Sequence, residues 1–205
     1  MTSRPKAIVF DIGAVLIEWD MRKLYRKMFA DHDRMEWFLA NVCTTAFNIE
    51  QDRGRSFADA VAHLSALHPE WRDEIRAYDE RWPEMLGPPI AGTVGILERL
   101  QREGWPTYAI TNFSREKFDI ARKLHPYLDT FRGTVVSGDE KLVKPDPAIF
   151  RLFLDRYHLS APDCVFIDDS KANVASAAEL GFRALHFTSA DQFADDLRQM
   201  GVLQC

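Results

Sequence analysis

The stretch Lys6-Ala7-Ile8-Val9-Phe10-Asp11-Ile12-Gly13-Ala14-Val15-Leu16 decides how the chain reads. Ile8, Val9 and Phe10 form a continuous apolar run, the pattern of a strand covered on both faces. The run ends on Asp11, and packing offers no reason for a carboxylate there. In an open α/β sheet, ligands bind at the carboxyl ends of strands, so Asp11 is a candidate site residue. Gly13 lets the backbone turn and come close to a bound group. A strand that merely ends on a polar turn would look the same, so the stretch needs support from the rest of the chain.

After Leu16 the pattern becomes helical, from about Asp20 to Arg81. Leu24, Tyr25 and Met28 recur at helical spacing, as do Phe57, Val61 and Leu64, then Trp71, Ile75 and Tyr78. Ser56 is placed to cap the middle stripe, with Asp59 near that helix's positive end. Pro83, Gly87, Pro88 and Pro89 then break the chain and read as a hinge. The aromatic residues Trp19, Trp37, Phe38, Phe47, Trp71 and Trp82 read mainly as the core of this helical segment. Trp19, which follows the Asp11 loop, is the one best placed to line a pocket.

Beyond the hinge, helix and strand alternate. Helices are expected over 93–103, 114–124, 147–157, 172–180 and 190–200, with Ser114 a cap and Pro147 in a first turn. Strands are expected over 107–111, 134–137, 165–167 and 183–187. Such alternation argues for a parallel sheet joined by crossover helices.

Composition narrows the function classes. The chain has 205 residues, 46% hydrophobic and 28% charged, which suits one folded core with a smaller appended unit. A formal net charge of −5 supplies no basic field for nucleic acid. No apolar run reaches membrane-spanning length. The first strand starts so early that no signal peptide is expected, and a cytoplasmic location follows as an expectation. Cys43, Cys164 and Cys205 are odd in number and scattered, which fits a reducing compartment rather than a disulfide frame or zinc site. His63 and His68 are five apart, off a common helical face, and the six histidines show no ligand spacing.

Polar groups recur at the strand ends: Asp11, Thr111-Asn112, Lys144-Pro145 on a loop, and Asp168-Asp169. A parallel sheet brings these ends to one edge. Each has an ordinary reading as a turn, a solvated lysine or a helix cap. Together they form a set suited to phosphoryl transfer. Paired carboxylates hold Mg²⁺, an oxygen-seeking ion. Asp11 can attack phosphorus, Thr111 and Asn112 can donate to phosphate oxygens, and Lys144 can balance charge in the transition state.

These residues resemble the motifs of the haloacid dehalogenase superfamily, most of whose members are Mg²⁺-dependent phosphatases. The matching positions are Phe10-Asp11-Ile12-Gly13, Ile110-Thr111-Asn112, Lys144-Pro145 and Ile167-Asp168-Asp169-Ser170 with Asn173, in the family's order. The resemblance implies a Rossmann-like α/β fold: a three-layer parallel-sheet core of residues 1–18 and 84–205, with a helical cap, residues 19–83, inserted. It implies that Asp11 is the nucleophile, that Thr111 and Asn112 bind phosphate and that Lys144 stabilises it. It also implies that Mg²⁺ is held by Asp11, the Gly13 carbonyl and Asp169, with Asp168 a ligand or its neighbour. Asn173 stands where many relatives carry an aspartate.

One position departs from the pattern. Family phosphatases usually have a second aspartate two residues after the nucleophile, which protonates the leaving group; here that residue is Gly13. A branch that dephosphorylates glucose 1-phosphate is similar at this point and also carries an Arg-Gly turn in its cap, like Arg53-Gly54. Glu18 and Asp20 are the carboxylates that would replace the missing acid if the loop folded inward. The expected function is hydrolysis of a small phosphomonoester, such as a sugar phosphate, through an aspartyl-phosphate, with no nucleic-acid or membrane partner and an undetermined oligomeric state. Two alternatives stay open. One is 2-haloacid dehalogenation, with a cap arginine (Arg22, Arg26, Arg53 or Arg55) holding the substrate carboxylate; the other is a non-catalytic phosphate-binding protein.

Overall fold

The computed structural model describes residues 4–204; Cys205, one of the three cysteines, lies outside them. In chain order the strands are β1 (Ala7–Phe10), β2 (Ile17–Trp19), β3 (Leu86–Pro89), β4 (Thr107–Thr111), β5 (Gly133–Val136), β6 (Cys164–Asp168) and β7 (Arg183–His186). Between β2 and β3 lie α1 (Arg22–Tyr25), α2 (His32–Asn41), α3 (Thr45–Asp52), α4 (Phe57–Leu67) and α5 (Arg72–Glu80). The remaining helices are α6 (Ala91–Arg102), α7 (Arg115–Leu124), α8 (Ser137–Glu140), α9 (Pro147–Tyr157), α10 (Lys171–Glu179) and α11 (Ala190–Gln199).

Five strands form one parallel sheet in the order β5-β4-β1-β6-β7. The apolar run of β1 lies at its centre, and alternation divides it between two cores. Ile8 and Phe10 pack with Val165 and Ile167 of β6 and with Leu97, Leu100, Phe193 and Leu197 of α6 and α11. Ala7 and Val9 face the other side, with Phe166, Ile149, Phe150, Phe153 and Ala177 from β6, α9 and α10. This is why β1 reads as continuously apolar: neither face meets water. The result is a three-layer, Rossmann-like α/β core.

The helical insert forms a cap with an aromatic interior. Tyr25, Phe29, Phe38 and Trp71 pack ring against ring, and Tyr78 sits between Phe47 and Phe57. Three of its helices, α2, α3 and α4, start on side-chain caps: Asp31 accepts from the Arg34 N–H, Thr44 from Phe47 and Ser56 from Asp59. Ser114 caps α7 by accepting from the Lys117 N–H, as its sequence position suggests.

Two details differ from the sequence reading. The Pro/Gly-rich stretch is not a bare hinge, because Leu86–Pro89 pairs antiparallel with Ile17–Trp19. A two-stranded ribbon thus joins cap to core. Proline donates no hydrogen bond, but each strand of such a ribbon has a free edge where none is needed. The strand expected over 134–137 runs from Gly133 to Val136, and Ser137 opens α8 instead. No helix among the described residues is long and apolar enough to cross a membrane.

Candidate active site

From β1 the chain moves outward through β4 to β5, then returns to β6 on the other side of β1. The connections from β1 and β6 leave in opposite directions, which opens a crevice at their carboxyl ends. Asp11 follows β1, and Asp168 ends β6 beside it. One carboxylate oxygen from each of Asp11, Asp168 and Asp169 lies within 4.8 Å of the others.

Lys144 holds this group together. Its Nζ lies 2.7 Å from Asp11 Oδ1 and 2.7 Å from Asp168 Oδ2, and donates to the Ile110 carbonyl at 2.8 Å. Three oxygens thus match its three ammonium hydrogens, and the side chain is buried. Burial opposes charge on Lys144, but its two carboxylate partners win and raise its pKa. For Asp11, burial and the Asp168 charge push the pKa up while Lys144 pulls it down, with a net rise. Three carboxylates facing one ammonium leave two net negative charges when all are ionised. A hard divalent cation with oxygen ligands suits that donor set.

The two adjacent aspartates are unlike each other. Asp168 is buried, and both its oxygens are engaged: Oδ1 accepts from the Ser170 N–H and the Asn173 amide, and Oδ2 from Lys144 and the same amide. Asp169 is exposed and lines the crevice. Asn173 therefore serves Asp168. At Asp11, Oδ1 also accepts from the Ile12 N–H at 2.7 Å.

Thr111 ends β4, next to β1 in the sheet, and is buried. Asn112 has a job the sequence did not show. Its Oδ1 accepts from the Lys144 N–H and its Nδ2 donates to the Lys144 carbonyl, at 2.8 and 2.9 Å. The side chain clamps the backbone that carries Lys144, which leaves one amide hydrogen for a ligand.

The cap closes over this edge and leaves a cavity of about 210 Å³. Gly13, Ala14, Asn112 and Asp169 form its floor, and Ile17, Trp19, Phe57, Trp82, Leu86 and Phe113 supply apolar walls. Asn48, Asp52, Ser114 and Lys117 add polar groups. Trp19 lines the cavity as expected, and Trp82 joins it. Phe38 and Trp71 belong to the cap core, and Trp37 is half exposed.

Glu18 and Asp20 do not face the cavity. In β2, Ile17 and Trp19 point inward, so alternation turns Glu18 outward, where it pairs with Lys23 at 2.7 Å. Asp20 accepts from the Arg22 N–H at 2.9 Å and stands 3.6 Å from the Arg22 guanidinium. Strand alternation accounts for Glu18 and the Arg22 contacts for Asp20, so neither carboxylate lines the cavity in this structure. Asn48, Asp52 and Lys117 were missed, because a polar residue on a helix looks like a solvated one until its partner surface is known. The one available signal was that Asp52 precedes the Arg53-Gly54 turn.

The model of the haloacid dehalogenase-like hydrolases matches residues 5–181. The chain belongs to that family. It is therefore a hydrolase, built on the fold just described. It is 28% identical to the sesquiterpene phosphatase astK of Aspergillus oryzae over 95% of this chain and 96% of that one. The hydrolase also superposes on the HAD family enzyme bt-2542 of Bacteroides thetaiotaomicron, a magnesium complex, with a TM-score of 0.77, 21% identity and coverage of 96% and 100%. The L-2-haloacid dehalogenase of Xanthobacter autotrophicus shares the fold at a TM-score of 0.63 and 16% identity, over 98% of this chain and 85% of that one.

Proposed function

We propose that this hydrolase is a Mg²⁺-dependent phosphatase that acts on small phosphomonoesters through an aspartyl-phosphate on Asp11. One observation carries the reading: three carboxylates gather beside a single buried lysine at the sheet's switch point, with two negative charges in excess when all are ionised. Asp11, the Gly13 carbonyl and Asp169 would hold the metal. Asp168, bonded on both oxygens, fixes Lys144 and stands behind them. Bound Mg²⁺ would offset the charge excess and draw negative charge from the phosphoryl oxygens.

Both bonds to Asp11 from Ile12 and Lys144 fall on Oδ1, which orients the carboxylate and leaves Oδ2 for attack on phosphorus. Thr111, Asn112 and the Lys144 ammonium supply donors to the transferring group. The walls formed by Trp19, Phe57, Trp82 and Phe113 suit an alcohol with an apolar body, ahead of a sugar. The full-length likeness to a sesquiterpene phosphatase supports the same order.

The dehalogenase reading is favoured only by the missing acid at Gly13. It needs an arginine in the pocket, and among the described residues none lines it. Arg22 pairs with Glu36, Arg53 with Glu50, and Arg55 binds the Gln51 side chain. The deciding experiment screens terpenyl, aryl and sugar phosphates with Mg²⁺ and with EDTA, beside chloride release from 2-haloacids. Phosphate release that EDTA abolishes is expected. Chloride release unaffected by EDTA would replace the reading with dehalogenation.

A further inference from the structure

We propose that Asp52, a cap residue, is the general acid and base of the reaction and takes the place left vacant by Gly13. The inference rests on the phosphatase reading. With glycine at position 13 and Glu18 turned to solvent, a leaving alkoxide has no proton donor on the nucleophile loop. Asp52 and Asp169 are the carboxylates among the described residues that line the cavity. Asp169 belongs to the acidic group that takes the metal, which leaves Asp52 for proton transfer.

The chain places Asp52 with care. It is the last residue of α3, and the turn after it is pressed onto the core. Gly54 has φ +103°, and a Cβ there would stand 2.9 Å from the Gly138 carbonyl oxygen. Only glycine permits both that conformation and that approach. The Ser137 hydroxyl donates to the Asp52 carbonyl, and the Asn48 amide donates to Asp52 Oδ2 at 2.8 Å. The Ser114 backbone N–H, at the start of α7, faces the carboxyl group and favours its charged form. A merely solvated aspartate has no need of such support.

The electrostatics agree with this role. Burial pushes the Asp52 pKa from 3.8 to about 7, against the Ser114 N–H, so the group can exchange a proton near neutrality. The charged groups around it are committed elsewhere. Lys117 of α7 is held by Asp79 of α5 and lies over the Phe57 ring, and the Tyr78 hydroxyl of α5 donates to Asn48. Arg55 binds Gln51, Arg53 pairs with Glu50, and Arg115 of α7 pairs with Asp119 and Asp139. No cation forms an ion pair with Asp52 among the described residues, which would otherwise hold it ionised.

Asp11 Oδ2 attacks phosphorus, the bond from phosphorus to the alcohol oxygen breaks, and that oxygen takes the Asp52 proton. The Asp52 carboxylate then removes a proton from water as the water oxygen attacks phosphorus. The bond to Asp11 breaks, inorganic phosphate leaves, and both aspartates return to their starting states.

The test compares wild type with D52N, D52E and the double variant D52N/G13D on p-nitrophenyl phosphate and n-butyl phosphate in Mg²⁺. With D52N, kcat/KM for the butyl ester should fall about a hundredfold or more, and for the aryl ester less than about tenfold, because p-nitrophenolate leaves without a proton. The aryl ester should also show a burst of p-nitrophenolate, since the second step has lost its base. D52E should recover part of the butyl rate. So should Gly13→Asp in the D52N background: a Cβ at Gly13 meets no atom within 4 Å, and its φ is not positive. Equal losses on both esters, or no loss on either, would overturn the proposal and leave Asp52 a cap anchor. A wild type that hydrolyses neither these esters nor those of the wider screen would instead bring down the phosphatase reading, and this one with it.

Discussion

Lys144 has all three ammonium hydrogens on oxygen and no route to water. Its removal leaves Asp11 and Asp168 buried without a counter-charge. Lys144→Met keeps most of the volume and should cost about 3 kcal/mol of stability in EDTA. Mg²⁺ should return part of that loss; an unchanged urea midpoint would show that the pair carries no weight. Asp11→Asn should lower turnover on the order of a thousandfold or more, with the fold kept, because the amide is a poor nucleophile. Near-normal rates in the purified variant would remove Asp11 from the chemistry. Asp52 should also make stability depend on pH. Its folded pKa is raised from 3.8 to about 7, so the stability it contributes is fully present below pH 3.8 and lost as pH rises through 7. Urea unfolding of wild type should therefore weaken relative to Asp52→Asn from about pH 4 to 7, then run parallel above 8. A difference that stays constant would mean that the carboxyl group is no more buried than in the unfolded chain.

Among the elements, the join between α3 and α4 matters most to the site, because it carries Asp52 and touches the core at α8. Gly54→Ala should cost about 1–2 kcal/mol from backbone strain alone and push the turn off the Gly138 carbonyl. Turnover should fall with it, more for alkyl than for aryl phosphates if the turn's task is to hold Asp52. Thermal melts with both substrate classes check this, and a stable, fully active variant would show that the turn does not set the site. The ribbon of β2 and β3 acts at the same scale. It fixes which way residues 17–19 face, and thereby sends Trp19 into the cavity and Glu18 out of it.

At the scale of the whole molecule, Asp11 after the first strand, Asp168 and Asp169 at the end of the sixth and the Lys144 loop converge only when the sheet is complete. A cation bound there stabilises the folded state alone. Mg²⁺ at about a hundred times its dissociation constant should add about 2.7 kcal/mol, or roughly 5–10 °C in Tm for a chain of this size. Asp169→Asn should abolish most of that shift, and an equal shift in the variant would place the cation elsewhere. The alternating β/α pattern, the central apolar strand and the polar groups at the ends of β1, β4 and β6 were all legible in the sequence, because they follow from local periodicity and from a rule of sheet topology that needs no coordinates. So were helical stripes of the insert and the Ser56 cap, which are set within a few residues. The engagement of both Asp168 oxygens, the clamp of Asn112 on Lys144 and the outward turn of Glu18 were not. Each depends on which partner lies across a gap of many residues, and spacing carries no information about that. Asp52 marks the boundary between the two. Its residue type and its place before an Arg-Gly turn are written in the chain, but its meaning comes from the docking of cap on core. That packing half-buries the carboxyl group at the wall of a cavity whose floor, Gly13, Ala14, Asn112 and Asp169, belongs to the core.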